Sequence, residues 1–329
     1  MKTENLNKIL IIRLSSLGDV ILVSYLARLL KKQYPKAEIS ILTGFPEVLE
    51  FNPNIDNIYV YVKSKQNQYI KLFKKEEGNK LKINDFDFVI DLQNNNRSKQ
   101  ILSGFNGKLF KYNKNRLEKL RIVYTKYKPK NISPIPIRYA ETAKELNIED
   151  DKLGLEFFLA KPQTKNNKLI SIAIGAKHFT KRYPFEKYLE VSKELIALGY
   201  EIAFLGGKED LEHIDSNKIK DLQIDNLIGM LTIQETANKI AESKLLISND
   251  SALMHIAAGL QVPIVAIFGS TTQDLGFAPF RVAHKVIEVN LSCRPCSHIG
   301  KSKCPKKHFN CMMLISPKMI VDSAISLIN

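Results

Sequence analysis

Residues 8–14, KILIIRL, are apolar nearly throughout, and the chain then changes period. Beyond a short turn, LSSLGDV at 14–20, the stretch ILVSYLARLLKKQYP repeats its apolar positions every three to four residues. This predicts a buried strand over 8–14 running into a helix over about 18–33. The alternation continues with expected strands at 38–42 (EISIL), 58–62 (IYVYV), 87–91 (DFVID) and a short one near 109–112. Helical patterns fall at about 66–76 and 138–147. Short runs rich in Ile and Val, separated by helices, predict a parallel sheet covered on both faces.

A second start comes at 169–174, LISIAI, after the polar stretch AKPQTKNNK at 160–168, the best linker in the chain. From there the alternation resumes, with helices expected at 184–198, 210–219, 232–243 and 251–260 and strands at 201–205, 245–248 and 263–268. Ser316 and Pro317 then supply an N-cap and first-turn proline for a last helix to about 328. The pattern predicts two doubly wound α/β domains, 1–160 and 161–329, with a cleft between them.

Composition agrees with this. A chain of 329 residues with 44% hydrophobic and 25% charged residues is a globular protein large enough for two cores. No apolar run approaches the roughly 18–20 residues of a membrane span. The first run, broken by Arg13 and Asp19, lacks a small-residue cleavage site, so no signal peptide is expected and cytoplasm is the default. The net charge of +15 is concentrated: residues 61–130 hold 18 Lys/Arg against 6 Asp/Glu. Solvated lysine-rich loops are the plain reading of that segment. The functional one is attraction to an anionic lipid surface or a phosphorylated substrate. No helix-turn-helix, RNP or zinc-finger pattern accompanies the charge, so nucleic acid is not expected as a partner.

Three strand-to-helix junctions carry candidate chemistry. LSSLGDV has one glycine, so it fails the G-x-G-x-x-G test of a nicotinamide oxidoreductase, and the chain has no G-x-x-x-x-G-K-[ST] of a P-loop NTPase. The Asp19 carboxylate would repel a phosphate there; it is either a helix cap or a functional acid at the C-terminal edge of the sheet. In SNDSALMHIAAGLQVPIVAIFGST, 248–271, Asn249, Asp250 and Ser251 would lie at a helix N-terminus, which suits an anion. His255 follows one turn deeper on the same face. Helix capping and a satisfied buried histidine explain the same residues without a ligand. In GAKHFTKRYP, 175–184, Thr180, Lys181 and Arg182 offer hydroxyl and cationic donors for a diphosphate, or form a solvated basic loop. In FLGGKEDLEHI, 204–214, Glu209, Asp210 or Glu212 can accept from ribose hydroxyls or cap a helix.

All four cysteines, Cys293, Cys296, Cys304 and Cys311, lie within 19 residues, with His298 and His308 nearby. The C-x2-C pair has a zinc-knuckle spacing and the second pair does not. A structural zinc and reduced thiols packing a loop are both compatible with this cluster, and disulfides are not expected.

Taken in order, KILIIRLSSLGDVILVSYLARLLKKQYP, TKRYPFEKYLEV, NLIGMLTIQETANKIAESKLLISNDSALMHIAAGLQVPIVAIFGST and the tail LSCRPCSHIGKSKCPKKHFNCM…ISP resemble the lipopolysaccharide heptosyltransferases of glycosyltransferase family 9. The resemblance spans most of the chain except the middle of the first domain. It implies a GT-B fold of two Rossmann-like domains, facing each other across a cleft, and an inverting transferase. The heptose would pass from ADP-L-glycero-D-manno-heptose to a phosphorylated lipid A–core acceptor, lipid A–Kdo or heptosyl. The alternatives are another nucleotide-sugar transferase of surface-glycan synthesis and a non-catalytic ADP-sugar-binding protein. The family makes the aspartate of its GD pair, here Gly18-Asp19, the base, with Ser15, Ser16 and Gly18 as substrate contacts. It gives Thr180 and Lys181 to the diphosphate, Asp250, Ser251, Ala252, Leu253 and His255 to the phosphate loop, an acid near Glu212 to ribose, and Met230 to the base of the nucleotide. Family members often carry glycine where Ala252 stands, and the added methyl crowds that backbone contact. No metal is required for catalysis. The implied location is the cytoplasm, peripheral at the inner face of the cytoplasmic membrane, with the basic segment (Lys71, Lys74, Lys75, Arg97, Lys99) toward acceptor and leaflet.

Overall fold

The computed structural model describes residues 8–63, 68–72, 81–129, 133–220 and 222–329. They form two compact units, Met1–Lys114 with Ile135–Ala160 and Asn115–Pro134 with Lys161–Asn329. Residues 115–134, within the first of the two expected ranges, therefore pack with the second unit. Lys126 shows why: its Nζ donates to the carbonyls of Cys293 (3.2 Å) and Pro295 (2.7 Å).

The first unit holds β1 (Lys8–Ile12), β2 (Glu38–Thr43), β3 (Asn57–Lys63), β4 (Gln68–Leu72), β5 (Phe88–Asp91) and β6 (Lys108–Lys111) in the order β4-β3-β2-β1-β5-β6. All pairs are parallel except β3 with β4. Its helices are α1 (Leu17–Ile21) and α2 (Val23–Gln33), separated only by Leu22, and α3 (Asn96–Ile101). The second unit contributes α4 (Arg116–Thr125), and the first resumes with α5 (Ile135–Thr142). Ile9 to Ile12 are buried on both faces of β1, as a strand covered from both sides must be. Helix α2 is tied to the segment that closes the unit: the Tyr25 hydroxyl donates to Asp150 (2.6 Å) and Arg28 pairs with Asp151 (2.8 Å).

The second unit holds β7 (Asn166–Ala173), β8 (Glu201–Leu205), β9 (Ile224–Asn226), β10 (Ser243–Asn249), β11 (Ile264–Ile267) and β12 (His284–Ile287), all parallel, in the order β12-β11-β10-β7-β8-β9. Its remaining helices are α6 (Phe185–Ala197), α7 (Asn217–Lys220), α8 (Ile233–Glu242), α9 (Ala252–Gly259), α10 (Asn310–Met313) and α11 (Pro317–Ile328). Helix α11 begins as expected, with the Ser316 hydroxyl accepting from the Met319 N–H and Pro317 in the first turn.

Two expectations are corrected. Within the pattern at 66–76 the described residues, Gln68–Leu72, form strand β4 rather than a helix, pairing antiparallel from Tyr59–Leu72 to Lys63–Gln68, and the rest of that stretch lies outside the described residues. Helical periodicity there is short, and the open edge of β3 offers backbone partners that a helix would leave unmet. The helix expected at 210–219 breaks into a 3-10 turn, Lys208–His213, and α7. Asp210 accepts from the Gly207 N–H and Asp215 from the Asn217 N–H, and such local side-chain bonds compete with a continuous helix. The hydrophobic pattern does not announce helices α3 and α4 or the outer strands β9 and β12.

Candidate active site

A doubly wound sheet has one place where successive strands depart in opposite directions, and side chains beyond the strand ends there can reach a ligand. In the first sheet this point lies between β1 and β5. The backbone N–H groups of Leu14 and Ser15 donate to Gln93 Oε1 at 2.9 and 3.2 Å, so the end of β5 fixes the turn leaving β1. Arg97 of α3 donates to the Ser15 hydroxyl (3.2 Å), and its guanidinium lies over the Tyr61 ring at 5.9 Å. The structure thus brings Ser15, Ser16, Gly18 and Asp19 together in one turn.

Ser16 is the N-cap of α1, and Asp19 is the third helical residue, not the cap itself. Asp19 Oδ2 accepts from the Ser16 N–H (3.1 Å) and Ser16 hydroxyl (2.7 Å). Asp19 Oδ1 faces Arg13 at 2.7 Å and accepts from the Tyr139 hydroxyl at 3.4 Å. Arg13 is itself fixed, donating to the Leu92 carbonyl (2.6 Å) with its guanidinium over the Tyr139 ring (5.6 Å). Burial works to raise the Asp19 carboxyl, but the Arg13 charge, the Ser16 hydrogen bonds and the direct Arg13 contact outweigh it. The carboxyl is held below its ordinary range and is ionised at neutral pH. Its side chain remains 17% exposed. Capping geometry and a partly exposed anion coexist in one residue.

In the second sheet the corresponding point lies between β7 and β10. Asn249, at the end of β10, donates to the carbonyls of Ile174 (2.8 Å) and Gly175 (3.3 Å) and accepts from the Tyr183 N–H and Tyr188 hydroxyl, both at 3.0 Å. The buried Asp210 carboxylate packs against Gly175, so a Cβ added there would force that side chain to move. Asp210 is buried, and burial raises its carboxyl despite the Gly207 N–H it accepts. The acid cluster at 209–212 therefore contributes its capping charge inward, at Asp210.

Lys181 Nζ lies 2.7 Å from Asp250 Oδ2, which also accepts from the Thr271 hydroxyl at 2.7 Å. Ser251 is the N-cap of α9 but makes no side-chain cap bond, so its hydroxyl does not satisfy the first-turn N–H groups of the helix. His255 is buried one turn on, its ring 6.5 Å from that of Phe277. Thr180 is engaged internally: 1% exposed, it donates to the Ser270 hydroxyl (2.9 Å) and accepts from the Lys301 N–H (2.8 Å). Glu212 is exposed on the 3-10 turn and Met230 is 69% exposed beyond Gly229. Among the described residues, no hydrogen bond or ion pair ties either to Lys181 or Asp250.

The cysteine loop joins this site through Arg294, a residue without any motif to announce it. Its buried guanidinium donates to the carbonyls of Phe268, Gly269, Thr271 and Val289 and pairs with Glu288 at 2.8 Å. Gly269 is required in that turn, since a Cβ would lie 2.8 Å from the Thr180 carbonyl. Cys293, Cys296, Cys304 and Cys311 are free thiols, and burial pushes Cys311 up to about 11. Cys293 Sγ lies 3.9 Å from His308 Nε2. Among the described residues, no three His, Cys, Asp or Glu side chains gather closely enough to hold a metal ion.

Of the basic segment, Lys74 and Lys75 and the Lys71 side chain lie outside the described residues, and Lys99 is exposed on α3. No described helix is long and apolar enough to cross a membrane.

Two parallel, doubly wound units with these junctions are the GT-B architecture of nucleotide-sugar transferases. The same chain order is seen in a solved glycosyltransferase family 9 protein from Veillonella parvula, with a TM-score of 0.76 at 22% identity over 98% of both chains. The model of glycosyltransferase family 9 (heptosyltransferase) matches residues 76–307, well over half of the sequence, and the chain belongs to that family. It is a glycosyltransferase. A lipooligosaccharide heptosyltransferase 2 of Campylobacter jejuni is 24% identical over 95% of both chains. A lipopolysaccharide heptosyltransferase 2 of Salmonella typhimurium is 27% identical over 59% of this chain and 53% of its own length, so that match spans about half of the relative.

Proposed function

We propose that this glycosyltransferase moves a heptose from ADP-L-glycero-D-manno-heptose to a phosphorylated lipid A–core acceptor by a single displacement with inversion. The observation that carries the reading is Asp19, an ionised and partly exposed carboxylate fixed by Arg13 and Ser16 at the switch point of the first sheet. The acceptor hydroxyl attacks the anomeric carbon, the bond from that carbon to the diphosphate breaks, and ADP leaves with the bonding pair. Asp19 takes the hydroxyl proton as the new bond forms. Ser15, in the same turn, and Arg97, which donates to its hydroxyl, are polar groups that would help orient the acceptor.

The donor reading draws on the second unit and on the heptosyltransferase relatives. Lys181 supplies a point charge for the diphosphate, and the first-turn N–H groups of α9 supply oriented donors. Asp250 contributes through its hold on Lys181 and Thr271 rather than through its own anion. Thr180 acts on the shape of the turn, since its hydroxyl is already committed to Ser270 and Lys301. The reaction is placed at the inner face of the cytoplasmic membrane, where a lipid acceptor would be met.

The test is ADP release from ADP-heptose in the presence of a delipidated lipid A–core acceptor, with mass analysis of the product. One added heptose supports the reading. Release with a different nucleotide sugar only, and a product lacking heptose, would assign the enzyme to another surface glycan.

A further inference from the structure

Helix α4 has two unlike faces. The inner one is anchored: Ile122 is buried, Lys119 lies 5.8 Å over the Phe277 ring, and Lys126 donates to the carbonyls of Val123, Cys293 and Pro295. The outer one carries Leu117, Leu120 and Tyr124, spaced three to four residues apart, and Tyr127 follows just beyond the helix end. Leu117 is 84% exposed and Tyr124 78%. Two leucines and a tyrosine on one exposed helical stripe, with exposed Tyr127 just beyond it, are costly in water and call for a cover.

The surrounding charge identifies that cover. Residues 111–129 contain seven Lys/Arg and a single acid, Glu118. Arg116, Arg121 and Lys128 are exposed beside the apolar stripe, and the Arg121 guanidinium stacks over the Tyr127 ring at 4.1 Å. An apolar protein partner would not require this ring of cations, and nucleic acid would not require the leucines. An anionic bilayer surface answers both: acyl chains take the leucines, the headgroup layer takes tyrosine rings, and lipid phosphates face the cations.

We propose that the outer face of α4, Leu117, Leu120 and Tyr124 with Arg116 and Arg121, together with exposed Tyr127 and Lys128 just beyond the helix, seats the protein in the interface of an anionic bilayer. This deepens the proposed transfer to a lipid acceptor by assigning the surface that brings the enzyme to it. The link from Lys126 to the cysteine loop ties this helix to the body of the second unit.

The test is cosedimentation of the full chain with vesicles of phosphatidylcholine alone and of phosphatidylcholine mixed with phosphatidylglycerol. The wild-type chain is expected on the mixed vesicles, less so as salt is raised. Leu117→Ser with Tyr124→Ser, and separately Arg116→Gln with Arg121→Gln, should each lower the partition constant roughly tenfold, with thermal unfolding unchanged. The proposal is overturned by a wild-type chain that stays off anionic vesicles, or by both variants binding as tightly as wild type. It is equally overturned if ultracentrifugation shows a dimer that the Leu117/Tyr124 variant disperses without loss of vesicle binding. Turnover of the delipidated acceptor should be unchanged in all these variants. Its absence in the wild type would remove the proposed reaction while leaving the vesicle result to stand by itself.

Discussion

Each unit presents a carboxylate beside its sheet's switch point, Asp19 beyond β1 and Asp250 beyond β10, and each carboxylate meets a cation at 2.7 Å. The likeness ends with the cation. Arg13 leaves the same strand end as Asp19 and is committed to the Leu92 carbonyl and the Tyr139 ring. Lys181 reaches Asp250 from a separate turn on a flexible stem, and among the described residues that ion pair is its only side-chain bond. The first arrangement fixes an anion in place and in charge state. The second leaves a cation on a rotatable stem, which under the proposed donor reading a diphosphate would draw away from its carboxylate. A planar, forked guanidinium suits the former task and a rotatable ammonium the latter.

The comparison breaks most severely at Asp19. Asp19→Asn should lower kcat by about 10²–10⁴-fold while leaving ADP affinity in place. A variant retaining more than about a tenth of wild-type kcat would remove the base assignment. The same change strands the guanidinium of buried Arg13, which should cost about 1–3 kcal/mol of stability in thermal or denaturant unfolding. Adding Arg13→Met should return part of that stability and none of the turnover.

Arg13→Met alone separates charge state from presence. With the cation gone, burial is left to raise the Asp19 carboxyl, so the acidic limb of the kcat–pH profile should move upward toward neutrality. In the wild type the folded carboxyl lies below its unfolded value. Its contribution to stability is therefore complete above the ordinary carboxylate range and is lost as pH falls through the lowered folded value. An acid limb that does not move in Arg13→Met would show that Arg13 does not set the charge of Asp19.

In the second unit the effects should be smaller and should fall on binding. Lys181→Ala is expected to weaken ADP by about 1.5–3 kcal/mol in calorimetry, and an unaltered affinity would remove Lys181 from the donor site. Thr271→Val deletes one hydrogen bond to Asp250 and should cost about 0.5–1.5 kcal/mol of stability, with little change in kcat.

Several of these features are legible in the residues alone. Strands β1, β2, β5, β7, β8, β10 and β11 announce themselves as Ile/Val-rich runs, because a strand buried on both faces has no polar positions to confuse the period. The GD turn and the Lys181 and Asp250 motifs stand out because polar residues at strand-to-helix junctions are few and their chemistry is restricted. What stays hidden is long-range or peripheral. Tyr139 is 120 residues from the Asp19 it touches, and Gln93 is 79 from Leu14. Outer strands β9 and β12 are short and only partly covered, and β4 reads as helix until the open edge of β3 is known.

The sequence by itself determined two doubly wound α/β units, their family, and the short list of charged residues at the strand ends. Each of these depends on local periodicity or on residues close together in the chain, and at these positions packing agreed with the local pattern. Tertiary structure decided which of those residues keep a free function. It turned Thr180 inward, left Glu212 and Met230 on the surface, gave Asp19 a fixed guanidinium and Asp250 a movable ammonium, and recruited Arg294 to hold the glycine turn. Those outcomes depend on burial and on partners tens of residues away, and desolvation and pairing energies exist only once the chain has closed around them.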